Sequence, residues 1–130
     1  KMKKDIHIPK VTNIAIAIVN EKEDWFAYLI NNNNFSLENT LISSKGYGVI
    51  DSKPKKTTFF SHYLGTIDSM SYRKVELLNK DVFGLTNEFL LTFYVRDVIH
   101  DKKYIFLPES IISENSTKLP LMKRKGIMIK

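Results

Sequence analysis

Residue types suited to acid–base or metal chemistry are sparse in this chain. Histidine occurs only at His7, His62 and His100, and no two are close enough in sequence to make a metal-ligand pair. Asp5, Asp68 and Asp101 are their nearest acidic companions, so a metal or acid–base constellation would have to be assembled by tertiary contact. Without it, these are ordinary turn and surface histidines. Cysteine is absent, which removes disulfides, thiolate zinc sites, iron–sulfur ligation and a Cys nucleophile. Serines abound, but no Gly-x-Ser-x-Gly elbow exposes one on a strand-to-helix turn. Gly46-Tyr47-Gly48 lacks the later glycine of a dinucleotide fingerprint, and Gly65 and Gly84 open no Gly-Lys-Ser/Thr phosphate loop. The expectation is a non-enzyme with no catalytic residue, no cofactor and no metal.

Binding is better represented. Lys53, Lys55 and Lys56 adjoin Phe59, Phe60 and Tyr63, and a second basic group, Lys123, Arg124 and Lys125, lies near the end of the sequence. Ammonium groups beside aromatic rings suit single-stranded RNA, because phosphates neutralise the lysines while bases stack on exposed rings. The competing reading buries the rings in a core and uses the lysines to blunt sheet edges, a common device in β-proteins. A formal charge of +6 and a pI near 9.4 bias encounters toward anionic partners. Only Arg73, Arg96 and Arg124 offer the planar fork favoured for base and phosphate recognition, which weakens sequence-specific DNA binding.

The segments that must position these groups are β-type. Ile14 to Val19 alternates isoleucine with small alanine, the signature of a well-buried strand, and Trp25 to Ile30 is its plausible hairpin partner across a polar break at Glu21 to Asp24. Asn31 to Asn34 reads as a turn, because asparagine tolerates left-handed backbone. A strand over Leu37 to Ser43 is expected to end at Ser44 to Gly48, followed by a basic loop at Lys53-Pro54-Lys55-Lys56 and an aromatic strand over Thr57 to Tyr63. Ser69 to Lys80 fits a strand better than a helix, since Lys74 interrupts the apolar stripe, and a short helical turn follows at Asp81 to Asn87. Phe89, Leu91, Phe93 and Val95 mark one buried face of a strand reaching Ile99. His100 to Lys103 connects it to Tyr104-Ile105-Phe106-Leu107.

About seven short strands without intervening helices predict an all-β fold, a single antiparallel β-sandwich of immunoglobulin-like kind, without the Cys-Trp-Cys framework of antibody domains. A chain of 130 residues fits one domain, with the sandwich over 1–112 and an extended C-terminal tail over 113–130 that docks through Leu119, Leu121 and Met122 or frays. The start of the chain forms no apolar signal core, and the longest apolar run, Ile14 to Val19, is far short of a membrane helix. The expectation is a soluble cytoplasmic protein that does not enter a membrane.

At Gly46-Tyr47-Gly48, Leu64-Gly65, Ser71-Tyr72 and Thr86-Asn87-Glu88 the sequence resembles a small, mostly uncharacterised family of bacterial proteins of similar length, some labelled phenylalanyl-tRNA synthetase alpha subunit. The resemblance covers nearly the whole chain and implies no catalytic or binding residues. A synthetase needs a large ATP pocket with phosphate-clamping arginines, which three scattered arginines do not provide. The function expected from the residues is a protein–protein interaction module with an unidentified protein partner or a second copy of itself as a homo-oligomer. Its alternative is RNA binding through Lys53, Lys55, Lys56, Lys123, Arg124 and Lys125.

Overall fold

The computed structural model describes residues 10–57 and 59–130; His7, Asp5 and Thr58 lie outside them. Ten antiparallel strands are present among the described residues: β1 Ile14–Glu21, β2 Asp24–Asn31, β3 Leu37–Ile50, β4 Lys53–Lys56, β5 Phe60–Ile67, β6 Ser71–Leu78, β7 Thr86–Val95, β8 Val98–Phe106, β9 Thr117–Lys118 and β10 Lys125–Ile129. They form two sheets, in the orders β6-β2-β1-β10-β9 and β4-β3-β7-β8, with β5 also paired to β3. This is an all-β sandwich, with ten strands where about seven were expected.

The alternation in β1 decides the layering. Ile14, Ile16 and Ile18 point into the space between the sheets and meet Leu29 of β2, Ile42 of β3 and Phe89, Leu91 and Phe93 of β7. Tyr104 and Phe106 of β8 complete that core, and the Tyr104 hydroxyl donates to the carbonyl of Ile14 at 2.9 Å, joining the two sheets inside it. Burial pushes the Tyr104 phenol pKa up, so at neutral pH it is a donor. On the opposite side of β1, Ala15, Ala17 and Val19 leave room for a second apolar layer. β1 is therefore buried on both faces.

β3 is longer than its sequence suggests. Gly46 and Gly48 do not end it, because the strand continues to Ile50, turns at Asp51–Ser52, and is retraced by β4 beside Val49 and β5 beside Ile42. Gly48 sits at φ +154 against Leu85, so the glycine serves close approach within the strand instead of a turn. The expected basic loop at Lys53 to Lys56 is edge strand β4, whose Pro54 and lysines suit an unpaired outer edge. The hairpin β7–β8 also departs from expectation: it turns at Arg96–Asp97, both at positive φ, while His100 to Lys103 lies within β8. The expected strand over Ser69 to Lys80 is β6, and a 3-10 helix at Lys80–Val82 follows it.

The segment after Ser113 is docked. β10 pairs with β1 through Ile16↔Ile129 and Ile18↔Ile127, and β9 pairs with β10. Between them, Leu119 and Met122 insert against Ala15, Ala17, Tyr28 and Ile30, roofing part of the outer face of the first sheet.

Candidate functional site

The two outer faces of the sandwich differ. On the first sheet, the roof is held by a charged hub at Glu21. Its carboxylate accepts from the Tyr28 hydroxyl, from Lys74 Nζ at 3.0 Å and from Arg124 Nη1 at 2.8 Å. Lys74 also lies 3.8 Å from the Phe26 ring centroid. The Tyr28 hydrogen bond, with the two cations, holds the Glu21 carboxyl down at about 2 against its own partial desolvation. Burial of its own ring and hydroxyl, and then the neighbouring Glu21 carboxylate, push the Tyr28 phenol up.

Because the Glu21 pKa is lower folded than unfolded, its contribution to stability is fully present above its ordinary value of 4.5 and is lost as pH falls toward about 2. Glu21→Gln is therefore expected to be less stable than wild type at pH 7, with the difference shrinking below pH 4.5 and vanishing near pH 2. Urea unfolding of both proteins across that range checks the sign: a difference independent of pH refutes the assignment.

Among the described residues, the second sheet carries no such roof. Paired residues share a face, so the register Leu41↔Thr92, Ser43↔Leu90, Lys45↔Glu88 and Glu88↔Ile105 places these side chains together on its outer surface. Tyr63 and Phe59, which are 67% and 61% exposed, flank them, and Leu41, Leu90, Ile99 and Ile105 are all exposed. Glu88 lies among cations and donors: Tyr47 OH donates to it at 3.1 Å, and Lys45 and Lys103 approach at 3.7 and 3.9 Å. Beside them a groove of about 460 Å³ is lined by Lys45, Tyr47, Lys56 and Phe59.

A third cluster spans the sheets. Glu76 of β6 accepts from Ser44 Oγ at 2.9 Å and pairs with His62 Nε2 at 2.7 Å, while Arg73 donates to the carbonyls of Leu64 at 3.1 Å and Thr66 at 3.0 Å. The carboxylate stands between serine and histidine and holds both. This is a clasp that closes the β5–β6 side of the sandwich. His100 stacks on Phe93 at 4.9 Å and is remote from that clasp. Among the described residues no group of three or more His, Asp or Glu converges as a metal site, and no helix is long and apolar enough to cross a membrane.

Comparisons with protein-family models, curated proteins and solved structures find no match. The site must be read from its own geometry. Lys53, Lys55 and Lys56 lie exposed on β4 of the second sheet, with Phe59 just beyond. Lys123, Arg124 and Lys125 lead into β10 of the first sheet, where Arg124 is engaged by Glu21 and Lys125 is paired in register with Lys118. The two basic groups thus belong to different sheets. Phe60 faces the side of β5 that carries His62, opposite Phe59 and Tyr63, so the aromatic run is split between faces. The sequence places Leu37 and Leu41 on one face, but irregular pairing between them leaves Leu37 in the core and turns Leu41 outward, where registry across β3, β7 and β8 makes one surface of Leu41, Leu90 and Ile105.

Proposed function

We propose that the protein is a non-enzymatic interaction module whose working surface is the outer face of the second sheet. One observation carries this reading: among the described residues, the chain roofs part of one outer sheet face with its own segment and leaves the other without one, with Leu41, Phe59, Tyr63, Leu90 and Ile105 exposed across four strands and just before β5. Contiguous apolar patches of this kind mark interaction sites on soluble domains. The partner that suits it is a protein with an apolar patch bordered by carboxylates, because Lys45, Lys56 and Lys103 surround the apolar side chains. The immunoglobulin-like kinship is part of the proposal. It is supported by β1-β2-β6 in one sheet and β4-β3-β7-β8 in the other, the A-B-E and C′-C-F-G arrangement of such sandwiches, with β10 and β9 added beside β1. A cysteine-free chain is compatible with the cytoplasm, where we place it.

The second reading, single-stranded RNA, is favoured by the groove in which Tyr47 and Phe59 stand between Lys45 and Lys56. One experiment separates the two. Wild type and a Leu41→Lys, Leu90→Lys double variant are used as bait in native cytosol, with and without nuclease, and each is sized by light scattering. Both sites are exposed, so the variant should melt within about 0.5 kcal/mol of wild type. A nuclease-resistant partner lost at least about tenfold by the variant is expected, since a buried lysine ammonium in a protein interface is strongly disfavoured. Capture abolished by nuclease moves the assignment to RNA, two chains per particle for wild type alone makes the partner a second copy, and equal capture by both baits removes the surface from consideration.

A further inference from the structure

We propose that the roofed face of the first sheet holds a binding site for a small amphipathic carboxylate, an apolar chain ending in a carboxyl group. The site is a groove of about 710 Å³ between the roof segment and the ends of β1, β2 and β10, away from the interaction surface of the second sheet. That volume lies within the roughly 300–1,000 Å³ usual for small-molecule sites.

Its chemistry is divided. The floor and walls are apolar, from Ala15, Ile30, Leu119 and Met128, three of them almost wholly buried. Alanine at position 15 matters, because a larger residue on that face of β1 would occupy the space. The exposed residues Lys118, Lys123 and Lys130 line its rim together with Asn13 and Asn32, and among the described residues no Asp or Glu lines the groove. None of these three lysines is ion-paired among the described residues, whereas Lys74 and Arg124 on the same face are both engaged by Glu21. The groove thus has three cations of its own that are not engaged by a carboxylate, while Arg124 of the neighbouring pair fastens its roof. A neutral apolar ligand would leave that positive rim unanswered, and a polar anion would leave the floor unused. A ligand with an apolar chain and one carboxylate meets both, and its affinity should rise about fourfold for each methylene buried until the groove is full.

The roof is a built wall. Leu119 N donates to the Arg124 carbonyl at 2.9 Å and Met122 N to the Pro120 carbonyl at 2.8 Å, closing a tight loop whose Leu121 and Lys123 adopt positive φ. Arg124 then ties that loop to Glu21.

The test is calorimetric titration of the full chain with straight-chain carboxylates of eight to fourteen carbons below their micellar concentrations, with the alcohols of equal length as neutral controls. Affinity rising with chain length, with the carboxylate bound at least about tenfold more tightly than its alcohol, is expected. A Lys118→Glu, Lys123→Glu variant should lose that preference while keeping its affinity for the alcohol and its melting temperature; both sites are exposed. Equal binding of acid and alcohol, an unchanged preference in the variant, or no heat up to the solubility limit overturns the proposal, as does occupation of the groove by an acidic amphipathic peptide when the carboxylates fail. None of these outcomes bears on the second sheet, so this site and the proposed interaction surface stand or fall separately.

Discussion

Replacing Asn31 by leucine lowers the free energy of unfolding by about 4 kcal/mol, whereas Asn32→Ala changes it by less than about 0.5 kcal/mol. The two side chains are adjacent in sequence and opposite in environment. Asn31 is fully buried, and its amide donates to the carbonyls of Phe35 at 2.9 Å and Asp68 at 3.0 Å while its oxygen accepts from the backbone and side chain of Asn33 at 3.2 and 3.1 Å. Asn33 in turn donates to the Thr12 carbonyl at 3.1 Å. One amide thus ties the end of β2 to the segment entering β3 and to the crossover from β5 to β6. Leucine fills similar space but strands these partners, each at about 1–3 kcal/mol when buried and unsatisfied. Urea unfolding monitored by far-UV circular dichroism gives the comparison; equal midpoints for the two variants would falsify the role assigned to Asn31.

Gly126→Val should cost about 3 kcal/mol and lower the melting temperature by on the order of 10 °C. A Cβ at this position would lie 2.8 Å from the Ile18 carbonyl oxygen, 3.0 Å from Leu119 and 3.1 Å from Val19. The first contact is with backbone of a central strand and cannot yield by rotating a side chain. β10 must therefore draw back from β1, taking with it the pairing of Ile127 and the seat of Leu119 beneath the roof. Limited proteolysis should cleave near Lys123 and Arg124 faster in the variant than in wild type, and identical cleavage rates would show that the strand accommodates the side chain.

The period-two signal was legible wherever one side of a strand meets the core, as at Ile14, Ile16 and Ile18 or at Phe89, Leu91 and Phe93. It failed where turns and edges carry the usual chemistry in unusual places. Arg96 and Asp97 make a hairpin turn with positive φ and no glycine, so only Asp97 hinted at it, and the polar His100 to Lys103 drew the turn to themselves. Gly46 and Gly48 signalled a break, yet one is packed against Thr57 and the other against Leu85 inside a continuous strand. The asparagine run was readable as a turn, but its buried hydrogen bonds depend on segments 37 residues away in the case of Asp68. The candidate surface was half legible: Phe59 and Tyr63 were visible beside Lys53, Lys55 and Lys56, while Leu41, Leu90 and Ile105 become neighbours only through strand register. The groove was not legible at all, since its walls come from the beginning of β1, the end of β2 and the roof.

The pairing of Ile16 with Ile129 has a consequence for biosynthesis. A ribosome delivers β1 more than a hundred residues before β10, so the first sheet lacks the β1–β10 and β10–β9 ladders while the intervening strands are made, with the hydrogen-bonding groups along that side of β1 unpaired. Long-range closure of this kind slows folding, because distant segments must meet before their contacts stabilise either one. The emerging polypeptide is thus most open to mispairing with another strand until the β9–β10 hairpin leaves the exit tunnel.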